Sequence, residues 1–157
     1  MLRIDRKLSV TLSYAFCGAA FVGVLLLGVL LACGHAFFPD SLLSAFLTAQ
    51  KKAGIPAYVL EYLILALVLF SDVCLMLLLN HVRMGAIFTD KSVAYLRMIS
   101  WASILAGICA IPLYGMLHLL SALFVSFVAF FLGIVLRVVK NVIEEGTVIK
   151  EENDSTI

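Results

Sequence analysis

Apolar residues run through this chain in long blocks, and the charged residues are confined to the gaps between them. From Leu8 to Phe38 there is no charged side chain. At about 1.5 Å per helical residue, that run exceeds the roughly 30 Å hydrocarbon core of a bilayer. A second run extends from Ala57 to Asn80, opened by Pro56 and interrupted only by Glu61 and Asp72. From Met98 to Leu136 there are 39 residues without a formal charge. As one helix they would measure about 58 Å, nearly twice the core thickness, so they must hold two spans. Pro112 and Gly115, in Ile111-Pro112-Leu113-Tyr114-Gly115, place the break there. The pattern predicts spans over residues 9–34, 57–80, 98–113 and 118–138. The expected fold is all-α: a polytopic membrane protein forming a four-helix transmembrane bundle in one domain, 1–157.

Composition agrees, since 64% of the residues are hydrophobic and 13% charged, a balance that excludes an ordinary water-soluble domain. The placement of Lys and Arg then sets orientation. Arg3, Arg6, Lys7, Arg83, Lys91, Arg97, Arg137, Lys140 and Lys150 fall on one side of the predicted spans, and only Lys51 and Lys52 on the other. By the positive-inside rule both termini, the loop 81–97 and the tail 139–157 are cytoplasmic, and the loop 38–55 is external. Within that external loop, Ser41 to Leu47 has the pattern of a short amphipathic helix lying on the membrane. One rival to four spans is a lipoprotein-type cleavage box, Leu30-Leu31-Ala32-Cys33-Gly34, which would remove the first span. The apolar stretch before it is longer than an ordinary signal-peptide core, which favours an uncleaved helix.

Helices in lipid associate through small residues that let backbones approach. Ala15, Ala19 and Gly23 form such a stripe on the first span, and Ala102, Ala106 and Ala110 on the third. The fourth span carries Ala122 with Ser126, and Ala129 with Gly133. These stripes predict a compact up-and-down bundle and leave room for a homo-oligomer. Phe124, Phe127 and Phe131 form a ridge read as core or lipid filler. The four cysteines, Cys17, Cys33, Cys74 and Cys109, show no C-x-x-C pair and are read as packing residues.

Asp72 is the one carboxylate deep in a span, roughly 12 Å from its cytoplasmic end, where carboxylates are costly. It is the candidate intramembrane site, either for a proton or cation or as a structural carboxylate. Ser13, Tyr14, Ser100, Ser103 and Arg137 stand at comparable depth as potential partners. Glu61, near the outer end of its span, is expected to reach interfacial water, as are His35 and His118. No nucleophile, base and orienting group share a recognisable spacing, and there is neither a phosphate-binding loop nor a metal-ligand cluster. The expectation is therefore a non-enzyme with no catalytic, cofactor or metal site and no direct nucleic-acid binding.

The two segments assigned to the cytoplasm carry the recognisable motifs. In His81 to Arg97, Thr89 can cap a helix whose first turn holds Asp90. In the tail, apolar residues among charges extend the fourth helix past the membrane as far as Gly146. Gly85, Ile87, Phe88 and Thr89 match a G-x-I-F-[ST] loop, and Glu152, Asn153, Asp154, Thr156 and Ile157 match an E-N-D-L-T-[IV] ending in which Ser155 replaces Leu. With the order of spans, these motifs resemble a family of small bacterial membrane proteins, domain of unknown function 2975. The resemblance implies residence in the bacterial plasma membrane and association with small helix-turn-helix transcription regulators. The leading expectation is a membrane partner that binds or modulates such a regulator through the Gly85 to Thr89 and Glu152 to Ile157 segments. The alternative is a small transport, resistance or immunity protein built around Asp72. A structural subunit of a larger membrane complex is a third.

Overall fold

The computed structural model describes residues 6–37, 42–84, 88–118 and 120–154, all of them in helices or the turns that join them. The chain forms α1 (Arg6–Phe37), α2 (Leu42–Ala53), α3 (Ile55–Arg83), α4 (Asp90–Leu117) and α5 (Leu120–Asp154). Four of these, all but α2, are long and apolar enough to cross a membrane. The expected all-α, four-span architecture is therefore present, and α1 runs unbroken through Cys33. Residues 41–47, expected as a short surface helix, belong to α2 from Leu42 onward.

The long helices run alternately up and down. Tyr14 on α1 donates to the Met76 carbonyl on α3, while farther along α1 the Gly28 carbonyl accepts from Tyr62, nearer the start of α3. Ala57 at the start of α3 packs with Leu113 and Leu117 at the end of α4, and His81 meets Tyr95 at the opposite end. Between α4 and α5, Ser100 pairs with Gly133 and Gly107 with Ser126. The helices pack as neighbours in the order α1, α3, α4, α5, and among the described residues α3 and α5 do not meet, nor does α1 reach α4 or α5. The bundle is thus open along one side rather than closed into the compact form expected.

Its polarity is that of a protein dissolved in hydrocarbon. Phe16, Leu26, Val59, Phe70, Phe127 and Ile134 point outward, and the buried positions are largely small: Ala57, Ser100, Ala102, Ala106, Ala110, Ala122 and Ser126. The stripes expected on the third and fourth spans form the packed seams. At the α4–α5 crossing the two serines each donate to a backbone carbonyl across the interface, Ser100 Oγ to Gly133 at 2.8 Å and Ser126 Oγ to Gly107 at 2.9 Å. A Cβ on Gly133 would lie 2.6 Å from Ile104 Cγ1, so only glycine allows this approach. The stripe on α1 is different: Ala15, Ala19 and Gly23 are exposed, and nothing lies within 4 Å of a Cβ added at Gly23. The less exposed face of α1 follows Tyr14, Cys17, Phe21, Val24, Gly28 and Leu31, a three-four spacing that suits a long shallow crossing of the α3 axis. The Phe124, Phe127 and Phe131 ridge is exposed, as lipid filler would be. Cys17 and Cys74 are buried, Cys109 is half-buried and Cys33 is exposed, all as free thiols.

Two boundaries differ from expectation. Helix α4 continues through Pro112 and Gly115 to Leu117, and the chain leaves it at His118, which adopts a left-handed conformation (φ 51°, ψ 29°) and bonds its N–H to the Tyr114 carbonyl. Proline removes one backbone bond, but helix packing in a membrane makes that loss tolerable, and His is among the few non-glycine residues that visit the left-handed region readily. At the other end Gly146 does not stop α5, which continues to Asp154. Thr89 caps α4 as expected, its Oγ1 accepting from the Ser92 N–H at 3.4 Å, with Asp90 in the first turn.

Candidate functional site

The helix order collects the Lys and Arg residues at the two ends of the molecule. One end holds Arg6 and Lys7 on α1, Arg83 on α3, Lys91 and Arg97 on α4, and Arg137, Lys140 and Lys150 on α5. The opposite end holds Lys51 and Lys52 on α2. Arg3 lies outside the described residues. The asymmetry read from the chain thus survives as an asymmetry of the folded molecule.

At the basic end the two motif-bearing segments touch. A Cβ on Gly146 of α5 would fall 2.6 Å from Cε1 of Phe88, so the aromatic ring from the loop before α4 rests directly on the bare backbone at Gly146. This contact, and not helix termination, accounts for glycine at that position. Arg97 reaches Glu144 at 3.6 Å, and Lys140 reaches the same carboxylate at 2.7 Å, one turn away on α5. Both pairs are solvent-exposed on the carboxylate side and therefore orient more than they stabilise. Phe88 keeps 44% of its surface exposed, and Val142, Val148 and Ile149 beside it on α5 are exposed too. Of the other motif residues, Glu152 stands exposed on the last turns of α5, and Asn153 and Asp154 complete the helix. Gly85, Ile87, Thr156 and Ile157 lie outside the described residues.

Asp72 lies midway along α3 on the open side of the bundle. Its Oδ2 is buried with no hydrogen-bond partner among the described residues. The side chain borders a cavity of about 550 Å³ between α3, α4 and α5, whose walls are otherwise almost wholly apolar and include Ala102, Ala106, Phe124 and Val128. Among the partners considered from the sequence, Ser103 lines the same cavity. Tyr14 is committed to the Met76 carbonyl, Ser100 to the Gly133 carbonyl, and the Arg137 guanidinium to the face of Trp101, 4.5 Å from the ring centroid.

The other carboxylate of α3 contradicts the sequence expectation. Glu61 is not in interfacial water: it is 5% exposed and accepts a hydrogen bond from Gln50, itself fully buried on α2. The cause is the turn at Gly54, whose positive φ of 79° lets α2 fold back over the start of α3. Ala49 and Ala53 then pack against Ala57, Leu113 and Leu117, sealing the pair from outside. Among the described residues, Gln50 Oε1 and Glu61 Oε1 have no hydrogen-bond partner. The glycine two residues before Pro56 was the only sequence signal of this fold-back. His118, by contrast, is exposed as expected.

Four apolar helices, an outward apolar surface and charges collected at the two ends define a multi-pass helical membrane protein. The family described as "Protein of unknown function (DUF2975)" matches residues 8–157, nearly the whole chain, and the chain belongs to it. Comparison with curated proteins and with solved structures finds no significant match.

Proposed function

We propose that this protein is a non-enzymatic component of the bacterial plasma membrane that holds or modulates a cytoplasmic helix-turn-helix transcription regulator. The observation that carries the reading is the seat of Phe88 on Gly146, which joins the loop before α4 and the distal part of α5 into one surface. That surface combines exposed apolar residues with the carboxylates Glu145 and Glu152, a mixture suited to a partner with a basic face. The positive-inside rule puts this end, with both termini, in the cytoplasm, where such a regulator resides. Deletion of residues 150–157 and, separately, Phe88→Ala are expected to abolish co-purification with the regulator while membrane insertion is retained. Undiminished co-purification in both variants would refute docking on this surface.

The unpartnered Oδ2 of Asp72 at the edge of an apolar cavity favours a second reading, a small transport, resistance or immunity protein with Asp72 as its polar site. Asp72→Asn separates the two: regulator binding survives it, whereas a transport or resistance phenotype that depends on the carboxylate is lost. Expression level and detergent stability of the variant are measured alongside.

A further inference from the structure

Three cations converge between α4 and α5 just beyond the apolar band. Arg97, Ser100 and Trp101 on α4 face Arg137, Lys140 and Asn141 on α5 around a cavity of about 300 Å³, a size at the lower end of small-ligand sites. Glu144 neutralises one charge through its contacts with Arg97 and Lys140, leaving a local surplus of two positive charges. Arg137 forms no ion pair or hydrogen bond among the described residues; its guanidinium lies over Trp101, which holds the fork in place while leaving its N–H groups available. The Asn141 amide is likewise uncommitted among the described residues, whereas the Ser100 hydroxyl already donates to Gly133. Four donor side chains and the Trp101 ring therefore line one cavity, and among the described residues no group uses them all.

Trp101 also borders a cavity of a different character. It is about 280 Å³, shares Arg97 and Trp101 with the first, and is otherwise lined by apolar side chains that include Leu67, Phe70, Met98 and Leu105. A polar, cationic cavity that shares Arg97 and Trp101 with an apolar one, at the level where the charged end meets the hydrocarbon-facing surface, has the two-part chemistry of a phospholipid. We propose that Arg97, Arg137, Lys140 and Asn141 form a binding site for the phosphate of an anionic membrane lipid, with the adjoining apolar cavity taking the first part of an acyl chain. A free phosphate ion would satisfy the cations but leave the apolar compartment unused.

The test compares lipids retained by the full-length protein in nanodiscs made of phosphatidylcholine alone or mixed with phosphatidylglycerol, read by native mass spectrometry. Loss of one surface charge weakens anionic-lipid attraction by about fivefold. Loss of a forked, hydrogen-bonding arginine at a built site weakens it by about tenfold or more. The wild type is expected to retain phosphatidylglycerol selectively, Arg137→Gln to lose that retention by about tenfold or more, and Lys91→Gln, at the same end but outside the cavity, by about fivefold or less. If Arg137→Gln does not fold, Arg97→Gln, which removes the other forked side chain on the cavity, carries the same expectation. Equal losses in Arg137→Gln and Lys91→Gln would reduce the effect to general charge attraction and overturn the site. Displacement of the retained lipid by inorganic phosphate would overturn the lipid assignment.

Discussion

Gly133→Val tests the α4–α5 seam, because at this position the two helices approach closely enough that a side chain has nowhere to go. Its Cβ would lie 2.6 Å from Ile104 Cγ1 and 3.2 Å from the Ser100 carbonyl oxygen. Ile104 can rotate, but the backbone oxygen cannot, so the helices must separate or tilt. Overpacking of this kind costs about 1–3 kcal/mol. Separation also stretches the 2.8 Å bond from Ser100 Oγ to the Gly133 carbonyl, a bond of a type worth on average about 0.6 kcal/mol between membrane helices. Gly23→Val is the control, since it makes the same chemical change in a long apolar helix where nothing lies within 4 Å. Helix propensity changes alike in both variants and cancels in the comparison. Reversible unfolding in bicelles, followed by steric trapping or denaturant titration, should therefore find Gly133→Val less stable than Gly23→Val by about 1–3 kcal/mol. A difference below about 0.5 kcal/mol, the range of uninvolved surface sites, would refute the packing described for this seam.

Other outcomes follow from the burial pattern. Gln50→Ala strands the buried Glu61 carboxylate without its donor and should cost about 1–3 kcal/mol in the same unfolding assay; Glu61→Gln, which still accepts from Gln50, should cost less, and equal losses would contradict the pairing. Maleimide labelling of the folded protein in detergent should modify the exposed Cys33 well before the buried Cys17 and Cys74, which become reactive on unfolding; simultaneous modification would contradict the arrangement of α1 on α3. Gly146→Ala should displace Phe88 and raise protease sensitivity around residue 88, while Ala at the open Gly115 should leave it unchanged.

The sequence made the spans legible because hydrocarbon imposes a length and excludes charge, and both requirements are written directly into composition. The run from Met98 to Leu136 had to turn somewhere, but not where Pro112 and Gly115 suggested: a proline is tolerated inside a packed membrane helix, and His118 supplied the left-handed residue instead. Small-residue stripes identified the α4–α5 seam, where backbones truly approach, and misled on α1, whose larger side chains at three-four spacing face α3. Thr89 and Asp90 were legible because a helix cap is local. Glu61 was not, because its burial depends on α2 folding back at Gly54. The contact of Phe88 with Gly146 joins positions far apart in the chain, and a glycine within a charged tail looks like a helix stop until its neighbour is known.

The loop before α4 and the distal part of α5 share one end of the molecule, opposite α2. Single cysteines introduced at Lys51→Cys, Lys91→Cys and Glu152→Cys, in a background lacking the four native cysteines, test it with a membrane-impermeant maleimide on intact cells. Lys51→Cys should label from outside, and Lys91→Cys and Glu152→Cys only after permeabilisation. Labelling of Lys91→Cys and Glu152→Cys from opposite sides would contradict the shared surface and with it the proposed function.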